Sequence, residues 1–241
     1  MLMIRALVLP LICATLAGCA TKQENGYGVG IQAERQAALD QAQQKDAAPD
    51  TPGMYLALID RMQTQGLWFA SLAHIDAYEQ QYGESPDTIL LRADALRQTG
   101  QPDVSAAAYA RLAGTPLAAR GLRGLGLLAG EAGDFAGAAQ RFEAASKRAP
   151  TDALTLSDLG YARLRMGDVA GARVPLMKAA ELAPNNPKIL SNVALFLLAS
   201  GQAANAQGLM TQQKFPADVQ QAIRGEAKRV ADAARASVAS R

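Results

Sequence analysis

Few residues of this 241-residue chain belong to the types that catalyse reactions or bind metals. His74 is the only histidine, so a His-based triad or a general base of that type depends on this one side chain. A two-His metal site is excluded for the same reason. The two cysteines, Cys13 and Cys19, both lie near the N-terminus, outside any pattern that would form a thiolate metal site.

The segment GLGLLA, Gly124–Ala129, matches the glycine pattern of a dinucleotide-binding loop. Such a loop needs a strand before it and a helix after it, whereas this segment lies inside a helical pattern. Carboxylate pairs occur along the chain, but none has a neighbour in the sequence that would perturb its chemistry. We therefore predict no catalytic residue, no metal, no cofactor and no small-molecule substrate, and we predict that the protein is not an enzyme.

Cys19 closes a segment with the layout of a secretory signal. Residues 1–5 supply one positive charge, and residues 6–17 form a mostly apolar run too short to span a bilayer. The run ends in Leu16-Ala17-Gly18-Cys19, which resembles a bacterial lipobox. That resemblance implies a signal peptide over residues 1–18 and a lipid anchor on Cys19, with palmitate-type acyl chains that hold stably when two or three are present. A chance cysteine in an ordinary signal peptide is the alternative.

The residues after Cys19 predict a tether and a membrane address. Residues 19–51 are polar and end in the turn-rich stretch DAAPDTPG, so we expect a lipidated polar tether. Ala20, rather than Asp, follows the cysteine. By resemblance to the sorting rule of enteric bacteria, this implies a lipid-anchored protein at the outer membrane that faces the periplasm.

Beyond the tether, the chain is organised by a repeat of 33 or 34 residues. Each repeat has a helical pattern on either side of a turn glycine, which suits a left-handed helix C-cap. The turn glycines are Gly66, Gly100, Gly133, Gly167 and Gly201. Small residues such as Gly160 and Ala172 would let the two helices of a hairpin approach closely. Proline ends the clearest repeats, at Pro150 and Pro184.

These positions resemble the signature of the tetratricopeptide repeat (TPR). The clearest copy carries its small and apolar residues at Leu156, Leu159, Gly160, Ala172, Leu176, Ala179 and Pro184. The resemblance implies an all-α fold, a right-handed superhelical solenoid of about five TPR helix hairpins over residues 52–214. The apolar spacing in residues 215–241 predicts a C-terminal capping helix, which an open solenoid end requires.

In TPR arrays the first helix of each hairpin lines a groove, so the repeat register predicts which side chains face a partner. Basic residues beside apolar ones would suit a peptide with an acidic group and an apolar side chain. An ordinary solvated groove is the alternative. The predicted groove residues are Arg120, Arg123, Leu127, Glu131, Ser157, Asp158, Tyr161, Leu164, Arg165, Lys188, Ser191, Asn192 and Leu195.

The lipobox, the tether and the hairpins together resemble the TPR lipoproteins of pilus and secretion machines. The closing repeat NPKILSNVALFLLASGQAANA looks most like the TadD-type lipoprotein of Tad (Flp) pilus assembly. This resemblance implies a non-enzymatic, pilotin-like assembly factor that binds a secretin-type outer-membrane pore or another pilus component. The alternatives are a type IV pilus pilotin and an envelope scaffold for peptidoglycan enzymes or outer-membrane assembly proteins. A net charge of +2 gives no reason to expect nucleic acid.

Overall fold

The computed structural model describes residues 51–239, which form eleven α-helices and contain no β-strand. Cys19, the predicted signal peptide and the predicted tether up to residue 50 lie outside the described residues. The helices are α1 Pro52–Thr64, α2 Trp68–Tyr82, α3 Pro86–Gln98, α4 Pro102–Ala110, α5 Ala118–Glu131, α6 Phe135–Arg148, α7 Ala153–Arg165, α8 Val169–Leu182, α9 Pro187–Ala199, α10 Ala203–Gln212 and α11 Ala217–Ala239.

The first ten helices pair into five consecutive hairpins. The first helices of the hairpins, α1, α3, α5, α7 and α9, pack against one another in sequence, and we call them the inner helices. Each second helix packs against its own hairpin partner and, in the first four hairpins, against the next inner helix. No single hairpin can cover its own apolar face, so stacking is what builds a continuous core. The predicted all-α TPR solenoid is confirmed.

The recurring Gly-Asp pair has a structural role in the turns. Gly133 and Gly167 adopt φ angles of 82° and 80°, in the left-handed region that favours glycine. The following aspartate caps the next helix: the carboxylate of Asp134 accepts the backbone N–H of Gly137 at 2.8 Å. The pair therefore ends one helix and starts the next within two residues.

Close approach of the two helices in a hairpin depends on glycine at a few inner-helix positions. A Cβ built on Gly160 in α7 would lie 2.4 Å from Cγ of Leu176 in α8. Leu176 is fully buried in the core cluster, so its side chain cannot turn out into solvent to avoid that contact. In the preceding hairpin, Gly126 makes the same kind of room for Phe142.

The predicted C-terminal capping helix is present as α11, and it also covers the inner helices. It packs against α9 and reaches α7. Its residues Ile223 and Val230 are buried in one cluster with apolar residues of α9. Near its end, the backbone of Ala234 lies close to Gly167, where a Cβ would come within 2.6 Å of the Ala234 Cα. This helix therefore crosses part of the surface that the repeat register predicts to be a groove.

Within residues 51–239, we find no helix with both the length and the apolar composition needed to cross a bilayer.

Candidate functional site

His74, the one histidine of the chain, is a packing residue. It is half-buried in α2, where its Nδ1 lies 3.2 Å from the hydroxyl of Tyr55 and its ring meets the Tyr55 ring edge-on. Burial lowers the pKa of the imidazole below its ordinary value, so the neutral form is favoured at pH 7. In the described part of the chain, no group of three or more His, Cys, Asp or Glu side chains could hold a metal ion.

A groove runs along the inner helices. It contains three pockets with volumes of about 240, 310 and 340 Å³, which we call the N-terminal, middle and C-terminal pockets. Leu90, Asp94 and Arg120 line both of the first two pockets, and Leu127 lines both of the last two. Adjacent pockets therefore share walls, and the groove runs across α1, α3, α5, α7 and α9.

The C-terminal pocket has a mainly apolar wall. Leu127 of α5 and Phe135 of α6 are both partly exposed there, and Phe142 lies behind them in the core. Gly126 forms part of the same wall, and a Cβ on it would collide with the ring of Phe142 at 2.6 Å. The two phenylalanines are not among the predicted groove residues, because both belong to α6, the second helix of its hairpin. We call the second helices of the hairpins, α2, α4, α6, α8 and α10, the outer helices.

Asp158 joins three inner helices at this pocket. Its carboxylate is 5% exposed. It accepts hydrogen bonds from Arg123 Nε of α5 at 2.9 Å and from Lys188 Nζ of α9 at 2.7 Å. Both cations are among the residues that the repeat register predicts to face an acidic partner. Because the two cations already have a carboxylate between them, they stabilise the stacking of consecutive hairpins, although Lys188 stays about half exposed at the pocket rim.

Tyr161 and Arg165 contact α11 through a single carboxylate, that of Glu226. The hydroxyl of Tyr161 lies 3.0 Å from Glu226 Oε1, and Arg165 Nη1 lies 2.9 Å from the same oxygen. The Arg165 guanidinium also stacks on the Phe135 ring at 4.1 Å and donates to the hydroxyl of Tyr161. These two predicted groove residues therefore line the C-terminal pocket and hold α11 at the same time.

Glu226 should make the docking of α11 sensitive to pH. Burial alone would raise the pKa of its carboxyl, but hydrogen bonds from Arg229 and Tyr161 and the charge of Arg165 outweigh burial. The pKa therefore lies below its ordinary value of 4.5. A carboxyl with a lowered pKa contributes stability above the unfolded pKa and loses it as pH falls through the folded one.

We accordingly expect the wild type to have a higher free energy of unfolding than Glu226→Gln. This difference should be largest at pH 7 and should shrink as the pH falls below about 4.5. Urea unfolding of both proteins between pH 7 and pH 3 measures this difference. A difference that stays constant over that range would contradict the role of the Glu226 carboxylate.

The remaining predicted groove residues are dispersed along the inner helices. Arg120 is exposed and lines the N-terminal and middle pockets, and Glu131 lines the C-terminal pocket and pairs with Arg97 of α3 at 2.5 Å. Ser157 is fully buried and lines none of the three pockets, so its predicted place in the groove was wrong; its hydroxyl accepts a hydrogen bond from Asn192 Nδ2 at 2.9 Å. The Ser191 hydroxyl donates to the backbone carbonyl of Pro187 at the start of its own helix.

Two predicted groove residues, Leu164 and Leu195, lie in the core instead, so the prediction was wrong for them. Leu164 is fully buried; it follows Gly160 by one helical turn, which turns it toward α8 and Leu176. Leu195 is 2% exposed. It lies two turns after Lys188 on the same side of α9, but α11 covers that side, and Leu195 belongs to the cluster that contains Ile223.

Comparison with known proteins identifies the fold through solved structures. No protein-family model matches the chain, and no curated protein sequence matches it. A thermophilic TPR protein of Thermus thermophilus superposes with a TM-score of 0.60 at 18% identity, over 76% of this chain and 98% of that one. This likeness supports the TPR fold that the repeats predict.

Two further structures share the fold. PilF of Pseudomonas aeruginosa gives a TM-score of 0.59 at 19% identity, over 84% of this chain and 89% of that one. MamA of Desulfovibrio magneticus gives 0.52 at 16% identity, over 73% of this chain and 98% of that one. At such identities the likeness concerns the fold alone.

Proposed function

We propose that this chain is a non-enzymatic protein-binding scaffold that holds a segment of its partner in the groove along the inner helices. The observation that carries this proposal is the run of three connected pockets, which ends in the apolar C-terminal pocket. A continuous groove of this kind suits a peptide or a helix, which can place successive side chains in successive pockets. Charged side chains at the pocket rims would then fix its orientation.

We further propose that the scaffold is a lipoprotein, anchored through Cys19 to the outer membrane and facing the periplasm. The lipobox, which ends at Cys19, supports this proposal. The resemblance of the closing repeat to TadD-type lipoproteins supports a pilotin-like role in assembly of the Tad (Flp) pilus machinery. In that role the lipid directs the complex to the membrane, while the groove holds a segment of a secretin-type pore or another pilus component.

The test is photo-crosslinking in living cells from a residue inside the groove. Leu127 is the best site, because it lines two pockets and is not in the contact with α11. We expect a crosslinker at Leu127 to capture a secretin or another pilus component, identified by mass spectrometry. Val174, which is 72% exposed on the outer helix α8, is the matched control and should capture nothing specific.

The same experiment with Cys19→Ser tests the anchor. We expect the chain to leave the membrane fraction and the captured partner to lose its outer-membrane location. From Leu127, the crosslinker could instead capture a type IV pilus secretin, a cell-wall enzyme or an outer-membrane assembly protein. That result would support the scaffold function but contradict the proposed partner in the Tad pilus machinery. Equal capture from Leu127 and Val174, or none from Leu127, would contradict groove binding.

A further inference from the structure

Helix α11 occupies the C-terminal part of the groove, so its side chains indicate which chemistry that surface accommodates. It packs on the inner helices α9 and α7, and few of its contacts are with the outer helix α10. The helix has an apolar side that includes Ile223, Ala227 and Val230. A carboxylate, Glu226, lies next to that side. The groove therefore binds an amphipathic helix in which a carboxylate lies one turn from each of two apolar residues.

The contacts of Glu226 are those expected for a recognised ligand group. Its side chain is only 13% exposed. It forms an ion pair with Arg165 of α7 and accepts a hydrogen bond from the hydroxyl of Tyr161. Arg229, one turn further along α11, donates to the other carboxylate oxygen. Hydrogen bonds between ionised groups are roughly twice as strong as neutral ones, so this carboxylate should hold α11 in place strongly.

The open C-terminal pocket continues the surface that α11 covers. Tyr161 and Arg165 belong to both, and Arg165 stacks on Phe135 at the pocket wall. An incoming carboxylate at this pocket would therefore meet the same guanidinium that holds Glu226. In contrast, Arg123 and Lys188 are already joined to Asp158. Arg165 is thus the cation at which an acidic partner and α11 would compete.

We propose that α11 is a built-in competitor for the groove, and that the partner is an amphipathic helix whose carboxylate replaces Glu226 at Arg165 and Tyr161. The inference rests on the groove binding proposed above, and it adds the chemistry of the partner and a way to control access. A segment tethered in the same chain competes at a high effective concentration, so an external helix binds well only when α11 is released.

The test uses a labelled synthetic peptide of residues 217–239 and its Glu226→Gln counterpart. Binding to the full chain is measured by fluorescence anisotropy for the wild type, Glu226→Gln and Asp232→Asn. Asp232 is the matched control, because it lies on the same helix, pairs with Arg235 of that helix and is 67% exposed. We expect the apparent Kd of the Glu226 peptide to be about tenfold lower for the Glu226→Gln protein than for the other two.

The Glu226→Gln peptide should bind each protein about tenfold more weakly than the unchanged peptide. Amide hydrogen exchange over residues 223–230, measured without peptide, should be about tenfold faster in Glu226→Gln and unchanged in Asp232→Asn. Equal affinities of the two peptides, or equal exchange in the two variants, would overturn the proposal. Faster exchange without tighter peptide binding would also overturn it, because α11 would then be a structural cap alone.

The outcomes are separable from those of the crosslinking experiment. The peptide experiment uses only this protein and its own helix, so it can succeed even when Leu127 captures no partner in cells. In that case the groove would recognise an amphipathic helix with a carboxylate beside its apolar side, while the proposed scaffold function would be wrong. Conversely, capture of a pilus component from Leu127 with no effect of Glu226→Gln would leave the function standing and remove α11 as a competitor.

Discussion

Replacing Gly160 by alanine is expected to lower the free energy of unfolding by about 1–2 kcal/mol. The new Cβ would lie 2.4 Å from Leu176 Cγ, closer than two carbon atoms can approach. Leu176 is fully buried, so relief requires its side chain to shift within the packed core or the two helices of the hairpin to separate. Overpacking of this kind costs about 1–3 kcal/mol, and the better helix propensity of alanine returns at most about 1 kcal/mol.

Gly208→Ala is the matched control for this prediction. Gly208 also lies inside a helix, α10, but a Cβ there would meet no heavy atom within 4 Å. We expect this variant to be more stable than the wild type by about 0.5–1 kcal/mol, because alanine loses less backbone entropy. Urea unfolding of both variants gives the comparison. Similar stability of the two variants would show that close helix approach at Gly160 is not what requires the glycine.

Asp158→Ala should be the most damaging change among the charged residues predicted to line the groove, with an expected loss of about 3 kcal/mol in the free energy of unfolding. The substitution removes a buried carboxylate from between two cations. Arg123, whose side chain is only 23% exposed, would remain largely buried without its partner. Breaking a buried ion pair from one side costs about 3–5 kcal/mol, and the partial exposure of Lys188 places this case at the lower end.

Two variants make the Asp158 prediction specific. Asp232→Ala removes an ion pair whose side chains are 67% and 74% exposed, and it should cost no more than about 0.5 kcal/mol. In a Lys188→Met background, Asp158→Ala should lower the free energy of unfolding by less than in the wild type. In that background, one of the two cations that the substitution leaves without a partner is already absent. If Asp158→Ala lowers the free energy of unfolding equally in the two backgrounds, Lys188 and Asp158 are not energetically coupled. The three-helix contact would then not contribute as proposed.

Much of the fold could be predicted from sequence because its determinants are local. The turn at Gly133–Asp134 needs only a glycine in the left-handed region and, directly after it, an aspartate that caps a backbone N–H three residues further on. The hairpin contact between Gly160 and Leu176 repeats in the preceding copy at Gly126 and Phe142. The same residues that specify a helix hairpin recur at a fixed period along the chain. Each copy therefore supports the interpretation of the others.

The candidate site was predictable only in part. Asp158, Tyr161 and Arg165 share one side of α7 by helical spacing, and the structure places all three at the C-terminal pocket. Phe135 was missed because it belongs to an outer helix, and only its position at the start of that helix brings it into the groove. A carboxylate at Glu226, beside the apolar side of α11, was the one sequence signal that could have suggested a polar contact there.

The sequence by itself determined the five hairpins and the amphipathic character of the last helix, because turn chemistry, small contact residues and apolar periodicity act within a few tens of residues. Only the tertiary structure decided where α11 docks and which groove charges stay available. Those outcomes depend on contacts such as Glu226 with Tyr161, and Asp158 with Arg123 and Lys188, between residues on different hairpins or beyond them. Such partners meet through the stacking of whole hairpins, and no repeat pattern in the chain encodes which of them will pair.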